Sequence, residues 1–102
     1  MKSARLYKIK LHPDVIRHDS KRFDAKTKDK IKAKCLELLS KAPEEVGEPL
    51  RLELKGYRKL KIFDDYRIVY KVIRDEVVVY VLAVGIRRDS EVYADAIKRL
   101  RS

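Results

Sequence analysis

The sequence contains few of the residues that cross-link a small protein or hold a metal ion. A single cysteine, Cys35, excludes an intramolecular disulfide, and a reducing cytoplasmic setting fits this composition. No group of cysteine, histidine and carboxylate residues has the spacing of a zinc site. We therefore expect neither a metal ion nor another cofactor.

Long apolar runs are also missing. The N-terminus has no run long enough for a signal peptide, and no segment approaches the ~20 apolar residues of a membrane span. We expect a soluble, cytoplasmic protein with no membrane partner. A length of 102 residues predicts a single domain, residues 1–102. Such a domain buries roughly two-thirds of the surface that its unfolded chain exposes.

Acidic residues are outnumbered by basic ones. The chain has 26 lysine and arginine residues against 16 aspartate and glutamate residues, a formal net charge of +10. Such a charge speeds encounters with phosphate backbones and gives strong non-specific affinity, so one interpretation is a polyanionic partner. The other interpretation is a solvated, lysine-rich surface. Charge alone does not choose between the two.

Residues 59–93 predict three consecutive strands and the start of a helix. Leu60 and Ile62 alternate with Lys59 and Lys61, which is the period-two pattern of a half-buried strand, so both lysines share one face. Two β-branched runs follow as strands, and the second is wholly apolar, which indicates a strand covered on both faces. A helix then opens at Ser90, a favourable N-cap residue. The two runs are residues 66–73 and 77–84, and the apolar side of the helix is Val92, Ala96, Ile97 and Leu100.

The N-terminal half predicts one strand and two helices. Residues 6–11 alternate as a short strand, residues 14–23 form the first helix, and residues 25–41 form the second. Asp24 is the expected cap of the second helix, and residues 44–49 are a loop. The element order is therefore β-α-α-β-β-β-α. This is an α+β fold with a small antiparallel sheet, two N-terminal helices and a C-terminal helix.

Several motifs stand in order from Gly47 onward. They are G-E-P-L-x-x-x-L-K-G, a basic-x-basic pair, D-Y-R-I-V-Y, V-L-A-V-G-I-R and S-E-V-Y-A-D-A-I-K-R. Together they resemble the RelE toxins of bacterial and archaeal toxin–antitoxin systems, within the RelE/ParE superfamily. The resemblance covers essentially the whole chain and is densest over residues 54–99. It implies a RelE/ParE-like fold, an endoribonuclease that cleaves mRNA in the ribosomal A site, and a cognate antitoxin.

Metal-independent RNA cleavage needs a base for the 2′-hydroxyl, positive charge for the phosphorane, and an acid for the leaving 5′ oxygen. Histidine pairs usually supply the acid and the base. His12 and His18, however, both lie in the N-terminal segment, away from the arginine-bearing strands, so we expect neither to be catalytic. The resemblance instead implies a basic cluster with a tyrosine. The candidate catalytic residues are Lys59, Lys61, Arg67, Arg87 and Tyr93.

The resemblance also implies a role for each of these residues. Arg67 and Arg87 match arginines whose planar guanidinium groups would bind phosphate oxygens and oppose transition-state charge, and Arg87 would also assist departure of the 5′ oxygen. Tyr93 matches a tyrosine that stacks on a base or accepts the 2′-hydroxyl proton, since nearby cations would favour the phenolate. Lys59 and Lys61 match paired lysines that act as a base or as phosphate clamps.

Two alignments stay open. A frame one residue earlier would place Arg58 and Leu60 at the lysine positions, but the frame with Lys59 and Lys61 keeps Leu60 in the core and is preferred. Alternation after Gly85 does not say which of two adjacent arginines points inward. Further predicted RNA contacts are Arg58, Lys71 and Arg88. Three other tyrosines are expected in the core or on strand faces, namely Tyr66, Tyr70 and Tyr80.

Three functions remain as hypotheses. The first is a ribosome-dependent mRNA endonuclease, with the ribosome, mRNA and a cognate antitoxin as partners. The second is a ParE-like toxin that inhibits a DNA topoisomerase without cutting RNA. The third is a catalytically idle RNA-binding protein. A site that retains two lysines, two arginines and the tyrosine favours the first, because a binding module does not need a converging phosphate site.

Overall fold

A five-stranded sheet with helices on both faces forms the core of the computed structural model, which describes residues 6–101. The ends of the expected domain, residues 1–5 and 102, lie outside the described part. The helices and strands are, in chain order, β1 (Lys8–Leu11), α1 (Pro13–Arg17), α2 (Ala25–Leu39), β2 (Glu48–Pro49), β3 (Arg58–Ile62), β4 (Tyr66–Ile73), β5 (Val78–Ile86) and α3 (Asp89–Arg101).

The strand order across the sheet is β1-β5-β4-β3-β2. The predicted antiparallel meander is confirmed, because β3 pairs with β4 and β4 with β5 in antiparallel fashion. Two features were not predicted. β1 joins β5 in parallel, and residues 48–49 form a two-residue edge strand on β3 rather than a loop. Pro49 is compatible with an edge, where no partner strand needs its missing N–H.

The two faces of the sheet carry separate apolar clusters. One face packs against α1 and α2, through Val15 and Ile31, and holds Tyr70 fully buried. The Tyr70 hydroxyl donates to the Pro43 carbonyl at 2.7 Å. The opposite face packs against α3 around Val69, Leu82, Ala83, Val92 and Ala96. Because residues 68 and 69 are adjacent in β4 and lie in different clusters, strand alternation separates the two faces.

The first predicted helix is shorter than expected. It ends at Arg17, and Asp19–Arg22 form a separate 3-10 turn. The break lets the Asp19 side chain turn into the core, where it accepts from the Val84 N–H and from Arg99. The second helix matches its prediction more closely, with the Asp24 side chain capping the Thr27 N–H at 2.7 Å. No helix within residues 6–101 is long and apolar enough to cross a membrane.

The end of β5 and the start of α3 place the polar residues discussed next. The strand continues through Gly85 to Ile86. The helix begins at Asp89, so the prediction that Ser90 is the N-cap is wrong. The Arg88 carbonyl accepts the first helical bond, from the Val92 N–H at 3.3 Å. At the other end Leu100 is 42% exposed, so the apolar side of α3 is narrower than predicted.

Candidate active site

Lys59, Lys61 and Arg67 lie on the face of the sheet that carries α3. In the antiparallel register Lys61 is opposite Arg67, and Lys59 is opposite Val69. Side chains of directly opposed residues share a face, and so do those two positions apart in one strand. Val69 belongs to the cluster beneath α3. The three cations therefore stand at the edge of the α3 packing surface, where strands β3 and β4 meet the start of the helix.

Asp89, the first residue of α3, joins two of these cations. Its Oδ2 accepts from Lys59 Nζ at 2.7 Å and its Oδ1 accepts from Arg67 Nε at 2.8 Å. The side chains of Lys59 and Arg67 are only 14% and 11% exposed, whereas that of Asp89 is 40% exposed. The carboxylate thus lies over the two cations, on their solvent side. Its two oxygens accept from residues of two different strands, Lys59 of β3 and Arg67 of β4.

The contact fixes the charge state of Lys59 and Asp89. The hydrogen bond that Lys59 donates to Asp89, supported by Tyr93 and opposed by burial, raises the pKa of Lys59. The hydrogen bond from Lys59, with a further one from Arg67, lowers the pKa of Asp89. At neutral pH Lys59 is therefore an ammonium and Asp89 a carboxylate. A lysine held in its charged form is suited to clamp a phosphate rather than to accept a proton.

Tyr93 lies one helical turn after Asp89, so both side chains are on the same side of α3. The Lys59 ammonium is 6.0 Å from the centroid of the Tyr93 ring, within the range of a cation–π contact. The ring is half-buried. Lys59 therefore contacts both Asp89 and the Tyr93 ring.

The turn between β3 and β4 ties two arginines together. Phe63 and Asp64 adopt left-handed conformations, with φ of 53° and 60°. The Asp64 carbonyl accepts from an Arg67 Nη at 2.6 Å. Asp65 accepts from Arg87 twice, through its carbonyl from the backbone N–H at 2.5 Å and through its side chain from Nε at 3.2 Å. Hydrogen bonds to this short loop therefore hold both Arg67 and Arg87.

Arg87 itself has a left-handed backbone, with φ of 58°. This conformation ends the alternation of β5, and the Arg87 side chain is 73% exposed. Arg88 is equally exposed at 75% and lies 3.6 Å from Glu91 in an ion pair. Neither of the two adjacent arginines points into the protein. A residue in the left-handed region is often held so at a functional site.

The structure distinguishes the two possible frames of the lysine pair. Leu60 and Ile62 are buried, at 6% and 2% exposure, on the face opposite Lys59 and Lys61, as the preferred frame predicts. Arg58 lies on the buried side with Leu60. Its guanidinium donates to the carbonyls of the residues before β2, at 3.4 Å to Val46 and 3.1 Å to Gly47. Arg58 is therefore held away from the cluster, and its contact with RNA stays a prediction.

Lys71 is the remaining predicted RNA contact. It lies four residues after Arg67 in β4 and is exposed, with its ammonium 5.6 Å from the centroid of the Tyr57 ring.

His12 and His18 make contacts away from the basic cluster. His12 Nδ1 accepts from the Asp14 N–H at the start of α1, and His18 is 3.8 Å from the Asp14 carboxylate.

Sequence reasoning missed the acidic members of this cluster. Asp89 and Asp65 each hold a candidate catalytic cation, but neither belongs to the basic pattern that drew attention to the site. The spacing of Asp89 from its neighbours in the sequence could have indicated its place in the site. It lies two residues after Arg87 and four before Tyr93, and an i, i+4 spacing at the start of a helix places a carboxylate and a ring on one side.

Comparison with known proteins assigns the chain and its fold to one family. A family model described as the ParE toxin of the type II toxin–antitoxin system parDE matches residues 6–91. Over 78 residues the chain is 41% identical to the mRNA interferase toxin RelE of Escherichia coli K12, which covers 70% of this chain and 82% of the relative. The mRNA interferase RelE of Shigella flexneri matches to the same extent.

Solved structures give the same result. The RelBE2 toxin–antitoxin complex of Mycobacterium tuberculosis contains a chain that superposes with a TM-score of 0.75 at 25% identity, covering 87% of this chain and all of that one. An arginine-to-alanine double mutant of E. coli RelE in the free state gives 0.71 at 30% identity, covering 93% and 98%. The fold and these relatives thus define a toxin of the type II class. Within that class, the chain belongs to the RelE/ParE superfamily as a RelE-type toxin.

Proposed function

We propose that this protein is the toxin of a type II toxin–antitoxin system and stops translation by cleaving mRNA in the ribosomal A site. One observation carries the proposal. Lys59, Arg67 and Tyr93 converge at the start of α3, with Lys61 and Arg87 beside them, in a chain 41% identical to an mRNA interferase. Such a set can hold a phosphate by two fixed cations while a ring faces the adjoining nucleotide.

The chemistry follows from the charge of each group. The 2′-hydroxyl attacks the adjacent phosphorus, the P–O5′ bond breaks, and the phosphorane between them carries extra negative charge. Lys59 and Arg67 oppose that charge from fixed positions, which stabilises the transition state more than the bound substrate. Arg87, which is exposed and bonded to the same loop as Arg67, would assist departure of the 5′ oxygen. Tyr93 stacks on a base or accepts the 2′-hydroxyl proton.

Dependence on the ribosome fits the composition of this site. Lys59 is held as a charged ammonium by Asp89, so it is a poor base, and neither histidine belongs to the cluster. A site with weak proton-transfer groups relies on precise placement of the reacting atoms, which can contribute several orders of magnitude to a rate. The ribosome would supply that placement by holding the mRNA. Cleavage of free RNA should then be slow.

A cognate antitoxin is the second part of the proposal. Solved complexes named RelBE, from M. tuberculosis and E. coli, pair toxins of this fold with an antitoxin. A toxin with a formal net charge of +10 suits an acidic partner, whose carboxylates would compete with RNA for the basic cluster. A segment that folds only on binding could cover this site without a preformed shape of its own.

A ParE-like toxin is the competing function, because the matching family model carries that description. A toxin that inhibits a topoisomerase without cutting RNA would have no use for the catalytic set. The two functions therefore differ in whether the wild-type protein cleaves mRNA. In the first case the wild type cleaves and loss of a cluster residue strongly slows cleavage, whereas in the second the wild-type protein does not cleave mRNA at all.

Single-turnover cleavage of mRNA in programmed ribosomes, read by primer extension, tests the proposed function. Arg87→Ala is the cleanest variant, because its side chain is 73% exposed and contributes little to folding. We expect the rate to fall on the order of 10²–10³-fold, the scale of a lost oxyanion donor. Arg17→Ala, a matched change of an exposed arginine on α1, should cleave at the wild-type rate. Full activity in both Arg67→Ala and Arg87→Ala would refute the assignment of this face.

A further inference from the structure

A carboxylate already lies between the two most buried cations of the site. Asp89 Oδ2 accepts from Lys59 at 2.7 Å and Oδ1 from Arg67 at 2.8 Å, so each oxygen has its own donor. Two non-bridging oxygens of an RNA phosphate present the same pattern of two acceptors on one central atom. Guanidinium and ammonium groups bind carboxylates and phosphates with the same donors. Asp89 therefore makes the contacts that a bound phosphate would make.

We propose that Asp89 is an internal counter-ion that occupies the phosphate position, and that an RNA phosphate binds by displacing it from Lys59 and Arg67. The inference deepens the proposed function and rests on it for the identity of the substrate. Asp89 is more exposed than either cation, so a phosphate from solvent meets the carboxylate first. A second anion beside a retained Asp89 would place two negative groups on the same donors, which is unfavourable.

The helix can release Asp89 without losing its place on the sheet. Asp89 is the first residue of α3, where one side chain can turn outward while the following turns keep their contacts. Val92 and Ala96 are 1% and 0% exposed against the sheet. Further along, Arg99 is bound to the buried Asp19 carboxylate by two bonds of 2.7 Å. The displaced state therefore gives up the two ion pairs of Asp89, which the incoming phosphate replaces, and leaves the helix anchored.

Displacement has a measurable consequence for affinity. If the site is open for only a fraction of the time, its apparent affinity for an anion falls by that fraction. Removing the charge of Asp89 should therefore tighten binding. For a site that is open about a tenth of the time, the gain is about tenfold. The gain should require Lys59, because the phosphate would use the donor that Asp89 gives up.

Binding of inorganic phosphate and of a short 2′-O-methyl RNA oligonucleotide, which cannot be cleaved, tests the proposal. Asp89→Asn keeps the shape of the side chain and should bind both probes about tenfold more tightly than wild type. Asp95→Asn is the matched control. It removes the same charge from the same helix, at a carboxylate that lies 3.8 Å from Arg22 rather than at the cluster, and should change affinity by less than about twofold.

Three results would overturn the proposal. One is equal affinity of the two asparagine variants. The second is a gain that persists when Lys59→Ala is added to Asp89→Asn, since the anion would then bind elsewhere. The third is read on the wild-type protein and decides the matter if a variant fails to fold. Phosphate titration should move the carboxyl ¹³C resonance of Asp89 and leave that of Asp95 in place, and saturation without such a shift would contradict displacement.

The binding assay is independent of cleavage, so the two proposals can fail separately. If Asp89→Asn gains affinity through Lys59 but the wild-type protein never cleaves mRNA in ribosomes, the counter-ion inference stands and the proposed function is wrong. If the wild-type protein cleaves and Asp89→Asn binds no better than Asp95→Asn, the proposed function stands and the counter-ion inference is wrong.

Discussion

Two carboxylates fasten α3 to the rest of the protein, one at each end, and they do so under different conditions. At the start of the helix, Asp89 bridges Lys59 and Arg67 with its side chain 40% exposed. Near the other end, Arg99 binds Asp19, whose side chain is fully buried. Similar charges and similar distances thus occur in two environments. The comparison separates an ion pair that can exchange its anion from one that cannot.

Burial decides the difference between these two sites. Asp19 accepts from both Nη atoms of Arg99 at 2.7 Å and from the Val84 N–H at 2.8 Å, and a further Arg99 bond goes to the Leu82 carbonyl at 3.0 Å. Asp19 has no access to water and Arg99 is only 7% exposed, so breaking the pair leaves a buried ion with less compensating charge. At Asp89, water or a second anion can take the place of the carboxylate. The first site is suited to hold the fold and the second to bind a ligand.

Removal of the buried carboxylate tests the structural site. Asp19→Ala should lower the free energy of unfolding by about 3–5 kcal/mol, because the Arg99 guanidinium stays buried with less compensating charge. Urea denaturation followed by far-UV circular dichroism measures the change. Asp95→Ala is the control, since it removes an aspartate whose ion pair with Arg22 is partly exposed and should cost less than about 1 kcal/mol. Equal losses in the two variants would show that burial does not distinguish these ion pairs.

Contact between the sheet and the start of α3 is tested by filling the space between them. A Cβ added at Gly85 would lie 2.9 Å from the Cβ of Val92, so Gly85→Ala should push the first turn of the helix outward. We expect a loss of about 1–3 kcal/mol, the usual cost of overpacking. Gly85 is opposite Arg67 in the register, so the shift should also move Asp89 and slow mRNA cleavage. Wild-type stability and cleavage rate together would show that the close approach is dispensable.

The sequence predicted the elements whose residues interact locally. The bounds of β4, the antiparallel meander and the Asp24 cap all follow from alternation or from a short-range hydrogen bond, and all are confirmed. The apolar face of α3 was predicted from Val92 and Ala96, which are buried. These features depend on neighbours within a few positions, so a pattern in the chain records them.

Long-range charge pairs left no such record. Asp19 and Arg99 are 80 positions apart, and Asp89 and Arg67 are 22 apart. Charged residues are expected at the surface from their type alone, and only the folded chain brings these four to their partners. The break after α1 was missed for the same reason, since the inward turn of Asp19 depends on an arginine at the far end of the chain. The candidate catalytic residues were found because a family resemblance pointed to them, and their roles stay predictions.

The smallest expected effect concerns the stability that the contacts of Asp89 with Lys59 and Arg67 contribute. The pKa of Asp89 is lowered in the folded state, so its contribution is present above the unfolded pKa of about 4 and is lost as the pH falls through the folded value. The pKa of Lys59 is raised, so its contribution is present below about 10.4 and is lost as the pH rises through the folded value. The ion pair is therefore fully stabilising only between these limits.

Asp89→Asn should accordingly lower the free energy of unfolding at neutral pH by about 1 kcal/mol, the upper end of the range for partly exposed pairs. The difference from wild type should vanish in acid, where the Asp89 carboxylate is protonated as well. Urea denaturation of both proteins across the acid range measures this. A neutral-pH loss as large as that of Asp19→Ala would mean that Asp89 anchors the helix instead of exchanging with a ligand. A small loss combined with tighter phosphate binding would separate the two ends of α3 into a site that holds the fold and a site that gives up its carboxylate to substrate.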